Sequence, residues 1–258
     1  MQVASGGELA DLAKHAVATG AERVVAAGGD GTVSTVAGAL AGTQSALGVI
    51  ALGTLNHFAR DVGIPLDVPA AVVNTLQGRP RLIDAGEVNG RVFLNNSSIG
   101  LYPQMVYRRA KQQRRLGRSK WQAMLWAAHM VLRSHPFIDV TLQIDGVAHR
   151  RRTAFVFVGN NGYEMEGFDI GRRPRLDGGM LSVYLTQRTS RRRLLALGLR
   201  ALAGRLRQAR DFEAASATHL RIESRRARLL VSTDGEIGAF ELPLEYRIRP
   251  GALRVIAP

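Results

Sequence analysis

The sequence predicts an α/β domain built on a small doubly wound parallel sheet, followed by a β-rich antiparallel sandwich, with a site in the cleft between them. Three observations lead there. Twice near the start, an apolar run leads into a Gly-containing turn and then a helical pattern. Beyond Pro80 the rhythm changes to strand-like runs joined by the two-residue turns Asn89-Gly90 and Asp145-Gly146. The charge divides at the same place. Residues 1–84 hold five Lys/Arg and seven Asp/Glu, a net of −2, and the rest of the chain carries +16. The expected division is therefore 1–84 and 85–258, with the boundary near Asp84.

Taken in order, Glu8–Thr19 puts Leu9, Leu12, Ala13, Ala16 and Val17 on one helical face, and Gly20 follows as a stop signal. Val24-Val25-Ala26-Ala27 forms the body of a strand over Arg23–Ala27. After the turn at Gly28–Thr32, Val33, Val36, Ala37 and Leu40 mark one side of a helix running to about Ala41. Ala46–Leu52 reads as a second buried strand, and Gly53–Arg60 as its turn and helix start. Pro69–Gln77 is a further helix with Val72, Val73 and Leu76 as its apolar side. Strand and helix alternating at this length imply a parallel sheet with helices on its faces.

Downstream, Asn-Gly is the favoured two-residue turn between antiparallel strands, so Arg81–Val88 and Arg91–Ile99 read as the arms of a hairpin. Phe137–Ile144 and Val147–Val158 repeat the pattern around Asp145-Gly146. Met180–Thr186, His219–Ser224, Arg228–Thr233, Glu241–Ile248 and Ala252–Ile256 supply more strands, which together make a sandwich. Two helical stretches interrupt them. Tyr107–Arg133 opens with seven basic residues between Arg108 and Lys120, and Ser190–Arg210 interleaves six leucines with arginines. Such basic amphipathic helices either lie on an anionic bilayer or pack their apolar sides and leave the arginines to water.

Composition excludes several classes. The chain has no cysteine, which removes disulfides and thiolate chemistry. It has no charged-then-apolar leader and no apolar run of ~18 residues, so the expected place is the cytoplasm, at most peripheral to a membrane. The formal charge of +14 points to an anionic membrane or a phosphorylated substrate. Nucleic acid is not the expected partner. Of the 35 basic residues 32 are arginine, a bias typical of genome composition, and no basic-aromatic interleaving accompanies them.

The chemistry gathers at the glycine turns. A strand, a glycine-rich turn and a helix start make a phosphate site, because unpaired helix amides and the positive dipole end face the anion. Asp30 is out of place in a bare phosphate cradle. It fits if it faces a magnesium ion, a water, or an amide that shapes the loop, and it also suits a helix cap. Neighbouring turns at the carboxyl ends of parallel strands share one crevice, so Gly29–Thr32 and Gly53–Asn56 would face one ligand.

With Gly28-Gly29-Asp30-Gly31-Thr32 followed by Gly53-Thr54-Leu55-Asn56-His57-Phe58-Ala59, the chain resembles the diacylglycerol kinase catalytic family, which includes sphingosine kinases and bacterial lipid kinases. NAD kinases and phosphofructokinases share the first turn but not the pair. The resemblance implies an ATP- and Mg²⁺-dependent kinase acting on a hydroxyl of diacylglycerol or a related lipid alcohol. Gly28, Gly29, Asp30, Gly31, Thr32, Val33, Ser34, Thr54 and Asn56 would hold the nucleotide. Where the family has Ile-Asn-Glu after the turn, this chain has Val33-Ser34-Thr35. The family's late Asp-Gly-Glu falls on Asp234-Gly235-Glu236, so Glu236 inherits the role of proton acceptor and Asp234 that of its neighbour. Two carboxylates so close would raise one another's pKa.

The family's structural Mg²⁺ segment matches Arg175–Leu181, where Gly178 replaces the second aspartate and leaves Asp177 and Met180 as ligands. His57, standing where aspartate is commoner, reads as a helix-start residue. The chain begins almost at its first helix, so the family's opening strand is expected to be missing. Alternatives are a NAD kinase-like or sugar kinase, and a catalytically silent lipid-binding protein.

Overall fold

A computed structural model describes residues 6–100, 137–164, 173–186 and 212–258. The first part alternates as expected: α1 (Gly6–Ala18), β1 (Arg23–Gly28), α2 (Asp30–Leu40), β2 (Ala46–Ala51), α3 (His57–Val62) and α4 (Val68–Gln77). β1 and β2 pair in parallel, Arg23 opposite Ala46 through Gly28 opposite Ala51. α4 starts at an Asp67 cap, whose carboxylate accepts the Ala70 amide, with Pro69 in the first turn where its missing N–H costs nothing.

Strands follow: β3 (Arg79–Val88), β4 (Arg91–Phe93), β5 (Asn96–Gly100), β6 (Ile138–Ile144), β7 (Val147–Thr153), β8 (Phe155–Asn160) and β9 (Leu181–Thr186), then β10 (Phe212–Ala217), β11 (His219–Ser224), β12 (Arg228–Thr233), β13 (Glu236–Glu241) and β14 (Leu244–Ala257). One mixed sheet has the order β1-β2-β14-β11-β6-β7, with β3 on the other side of β14 and β4 beyond it. The second sheet, β10-β9-β8-β5-β12-β13, is antiparallel throughout.

The long strand β14 joins the two halves of the chain. Its first half pairs with β11 and its end pairs in parallel with β2, while β3 runs beside both. The expected Glu241–Ile248 and Ala252–Ile256 are thus corrected. Glu241 closes β13, and the rest is one strand with a bulge between Arg249 and Leu253.

Two expected hairpin arms break in the middle, for a physical reason in each case. Arg91–Ile99 divides at Leu94-Asn95, whose amides donate to Asp234 and whose Leu94 carbonyl accepts from Arg173, so these groups leave the ladder and the chain changes sheets. Val147–Val158 divides at Ala154, whose amide donates to the Thr186 hydroxyl. Two strands went unforeseen. β10, Phe-Glu-Ala-Ala-Ser-Ala, has a helical composition that pairing with β9 overrides. β13 carries a glycine and is half-exposed along its length.

Burial divides into a layer where α1 and α2 cover Leu47, Val49, Leu253 and Val255, and a layer between the sheets holding Ile99, Val158, Leu181, Leu220 and Tyr246. Each such side chain contributes ~1.5–3 kcal/mol on full burial. The Ser97 and Tyr246 hydroxyls bond at 3.0 Å across the second layer. An aromatic group of Tyr163, Tyr184 and Phe212 lies apart. The basic stretches Tyr107–Arg133 and Ser190–Arg210 lie outside the described residues.

Candidate active site

The two glycine turns touch backbone to backbone. A Cβ on Gly53 would stand 2.6 Å from the Gly29 Cα and 2.7 Å from Asn56 Oδ1, closer than real atoms allow. The Thr32 side chain folds back over Gly28, where a Cβ would meet its hydroxyl at 2.6 Å. Glycine is needed at these positions for approach, not only for flexibility. Gly29 is the N-cap of α2 and supplies no side-chain cap, so the first amides of the helix have no capping side chain. Val33 turns its side chain into the core and gives its amide to the Gly29 carbonyl at 3.1 Å.

Asp30 faces amides. Its carboxylate accepts from His57 N at 3.3 Å and Phe58 N at 3.2 Å, capping α3 from the other turn. Of the alternatives open in the sequence, these contacts match the amide that shapes the loop. Thr54 is exposed at the lip. Asn56 adopts a left-handed backbone, φ 50°, and donates Nδ2 to the Gly53 carbonyl at 2.8 Å. Its Oδ1 is buried with no partner among the described residues. Leaving an acceptor so exposed to desolvation costs ~1–3 kcal/mol, a cost a ligand donor would remove.

The Asp234-Gly235 turn enters from the second sheet, both residues at positive φ, 48° and 85°. Its two carboxylates diverge. Asp234 points inward and accepts Leu94 N at 2.7 Å, Asn95 N at 2.8 Å, Asn96 N at 3.1 Å and the Ser34 hydroxyl at 2.6 Å. Four accepted bonds use the lone-pair positions of a carboxylate, so none is left to take a proton. Burial pushes its pKa up, and the Ser34 and backbone hydrogen bonds pull against that. Burial, and not a neighbouring carboxylate as expected, leads that shift. Ser34 is committed to Asp234, which ties α2 to the second sheet.

Glu236 points outward. Its Oε1 is 3.1 Å from where a Cβ on Gly31 would stand, over the start of α2. Its Oε2 pairs with the Arg91 guanidinium at 2.5 Å. Of the two late carboxylates, only this one is open to a reacting group.

Asp177 and Met180 stand in another setting. Arg175 Nε donates to Asp177 Oδ1 at 3.2 Å, and the Met180 carbonyl accepts from Asn161 N at 3.0 Å. The loop is further held by Asn161 Oδ1 on Gly178 N and by buried Asp84, which takes Gly179 N and Gly251 N on its two oxygens. Among the described residues no group of three His, Cys, Asp or Glu could hold a metal. Asp177 offers one carboxylate and the Met180 carbonyl already accepts from Asn161 N, a poor match to a resident divalent cation, which asks for about six oxygens.

Sequence reasoning missed Arg173. Its fully buried guanidinium pairs with Asp61 of α3 at 2.8 Å, donates to the Leu94 carbonyl, and bonds Asn95 Oδ1 at 2.8 Å. It thereby fixes the peptide whose amides hold Asp234. Nothing marks it in the sequence among so many arginines. Arg91 was missed for the same reason.

Comparison with known proteins bears on the family and the fold. Residues 1–88 match the family model of the diacylglycerol kinase catalytic domain, and residues 100–257 match that of the YegS C-terminal NAD kinase beta sandwich-like domain. A Pseudomonas fluorescens protein named probable lipid kinase YegS-like is 30% identical over 259 residues, covering 98% of this chain and 83% of the relative. A Pseudomonas aeruginosa protein of that name is 46% identical over 96 residues, 36% of this chain and 32% of the relative. In fold, a solved structure of a Bacillus anthracis diacylglycerol kinase superimposes with a TM-score of 0.69 at 18% identity, covering 100% of this chain and 84% of that one.

Proposed function

Because the chain belongs to the diacylglycerol kinase catalytic family, in its YegS-like lipid kinase branch, we propose that it transfers the γ-phosphoryl group of ATP to a hydroxyl of diacylglycerol or a related lipid alcohol. One observation carries the reading. The single outward carboxylate of the late turn, Glu236, stands over the uncapped start of α2, where two glycine turns meet.

Phosphoryl transfer needs positioned phosphates, neutralised charge and a proton acceptor. The first amides of α2 and the close-set glycines at 29 and 53 suit the phosphates, with the Thr32 and Thr54 hydroxyls near them. Asn56 Oδ1 would accept a hydrogen bond from the nucleoside. ATP arrives as its magnesium complex, so the metal belongs to the substrate. Asp30 keeps the two turns together, and Asp234 keeps the late turn docked on α2. As the lipid oxygen attacks the γ-phosphorus and the bond to ADP breaks, Glu236 Oε1 takes the hydroxyl proton. Ser34, where the family has an amide side chain, supports this role by bonding Asp234.

In this reading the chain works in the cytoplasm, reaching its substrate at an anionic membrane surface. No helix among the described residues is long and apolar enough to cross a membrane. The test is a panel of lipid alcohols, NAD and sugars offered with labelled ATP. Label in lipid is expected. Label confined to NAD or a sugar would overturn the lipid assignment, and tight lipid binding with no transfer to any acceptor would make the chain a silent lipid-binding protein.

A further inference from the structure

Arg91 lies outside every motif that marks the site, yet its guanidinium meets the carboxylate that the proposed reaction needs. The pair is half open to water, with side-chain exposures of 40% and 51%. An ion pair so exposed contributes ~0–1 kcal/mol to stability, so folding does not explain it. What surrounds it is rigid. Asn89, in the turn just before Arg91, donates to the Glu241 and Pro243 carbonyls at 3.1 and 3.2 Å and accepts Glu245 N at 2.7 Å. Phe93 is fully buried against Gly86, where a Cβ would collide with its ring at 2.2 Å. On the other side, Glu236 opens β13 opposite Thr233, directly after the turn that Asp234 pins. Both backbones are held, and the guanidinium fixes what remains free, the Glu236 side chain.

The contact is one-sided in a useful way. Arg91 Nη2 occupies Oε2, and Oε1 is the oxygen left over Gly31 at the start of α2. Resting on the function proposed above, we infer that Arg91 is a positioning residue: it binds Oε2 of Glu236 so that Oε1 is the oxygen that accepts the lipid hydroxyl proton. Arginine suits this better than lysine, because its planar fork sets a direction while an ammonium supplies only a point charge.

The experiment is a double-mutant cycle in the full chain, with labelled ATP and diacylglycerol in mixed micelles. Arg91→Ala should lower kcat ~10–10²-fold, within the share a general base supplies, and leave KM for ATP within about twofold. Arg91→Lys should recover part of the loss. Because Arg91 acts through Glu236, Arg91→Ala should cost nothing further in the Glu236→Gln background. Multiplying losses in the double variant would overturn the inference, as would a rise in KM for ATP at unchanged kcat, which would place Arg91 on the nucleotide. A second readout needs no turnover. The ¹³C resonance of the Glu236 carboxylate, identified by its loss in Glu236→Gln, should move on Arg91→Ala at constant thermal midpoint. An unmoved resonance would refute the contact. If wild type labels no acceptor, the lipid kinase reading fails, and the resonance still decides whether Arg91 holds Glu236.

Discussion

Asp145-Gly146 and Asp234-Gly235 are the same turn in two places. Each joins two antiparallel strands by two residues at positive φ, 45° and 90° in the first, 48° and 85° in the second. Their carboxylates behave in opposite ways. Asp145 is at the surface and accepts from His219 N and from the amide and hydroxyl of Thr218, and the His219 amide bond leads in lowering its pKa. Asp234 is half-buried, and desolvation leads in raising its pKa. The next residue is exposed Val147 in one and Glu236 in the other. A dipeptide sets the turn, and the donors that the fold brings to it decide whether the turn is a corner or part of a site.

Substitution should widen this contrast. Asp234→Ala leaves three part-buried amides and the Ser34 hydroxyl without their acceptor, and should cost about 3 kcal/mol in urea unfolding. A cost near that of a surface change would mean the amides find other partners. Asp30→Ala comes next. Losing the cap on α3 should cost about 1 kcal/mol, with a larger loss of ATP affinity in calorimetry because the two turns part. Unchanged ATP affinity would reduce the turn to structure.

The smallest effect is at Asp145, and its sign is set by linkage. A depressed pKa contributes stability that is present above the ordinary carboxylate range and lost as pH falls through the folded value. Asp145→Asn should therefore flatten the acid side of the stability profile. Stability of Asp145→Asn that still falls with acid as in wild type would remove Asp145 from that account.

The glycine turns were legible because apolar runs and a Gly-Gly or Gly-Thr step are local signals, and β1, α2, β2 and α3 follow them closely. Glu236 became visible only through resemblance, since Asp-Gly-Glu by itself reads as a corner. The break at Leu94-Asn95 was hidden because its cause lies far off in sequence, at Asp234 and Arg173. Asp177 shows the reverse. It matches a family motif, but no group of three His, Cys, Asp or Glu gathers around it among the described residues.

The central claim is that Glu236 takes the proton while backbone and turns hold ATP, and Glu236→Gln tests it most directly. Glutamine keeps the shape and cannot accept a proton at that oxygen. Single-turnover transfer of label from ATP to diacylglycerol should fall by ~10²–10⁴-fold, with the dissociation constant for ATP and the thermal midpoint unchanged. Transfer at the wild-type rate, or a loss explained by weaker ATP binding, would contradict the account.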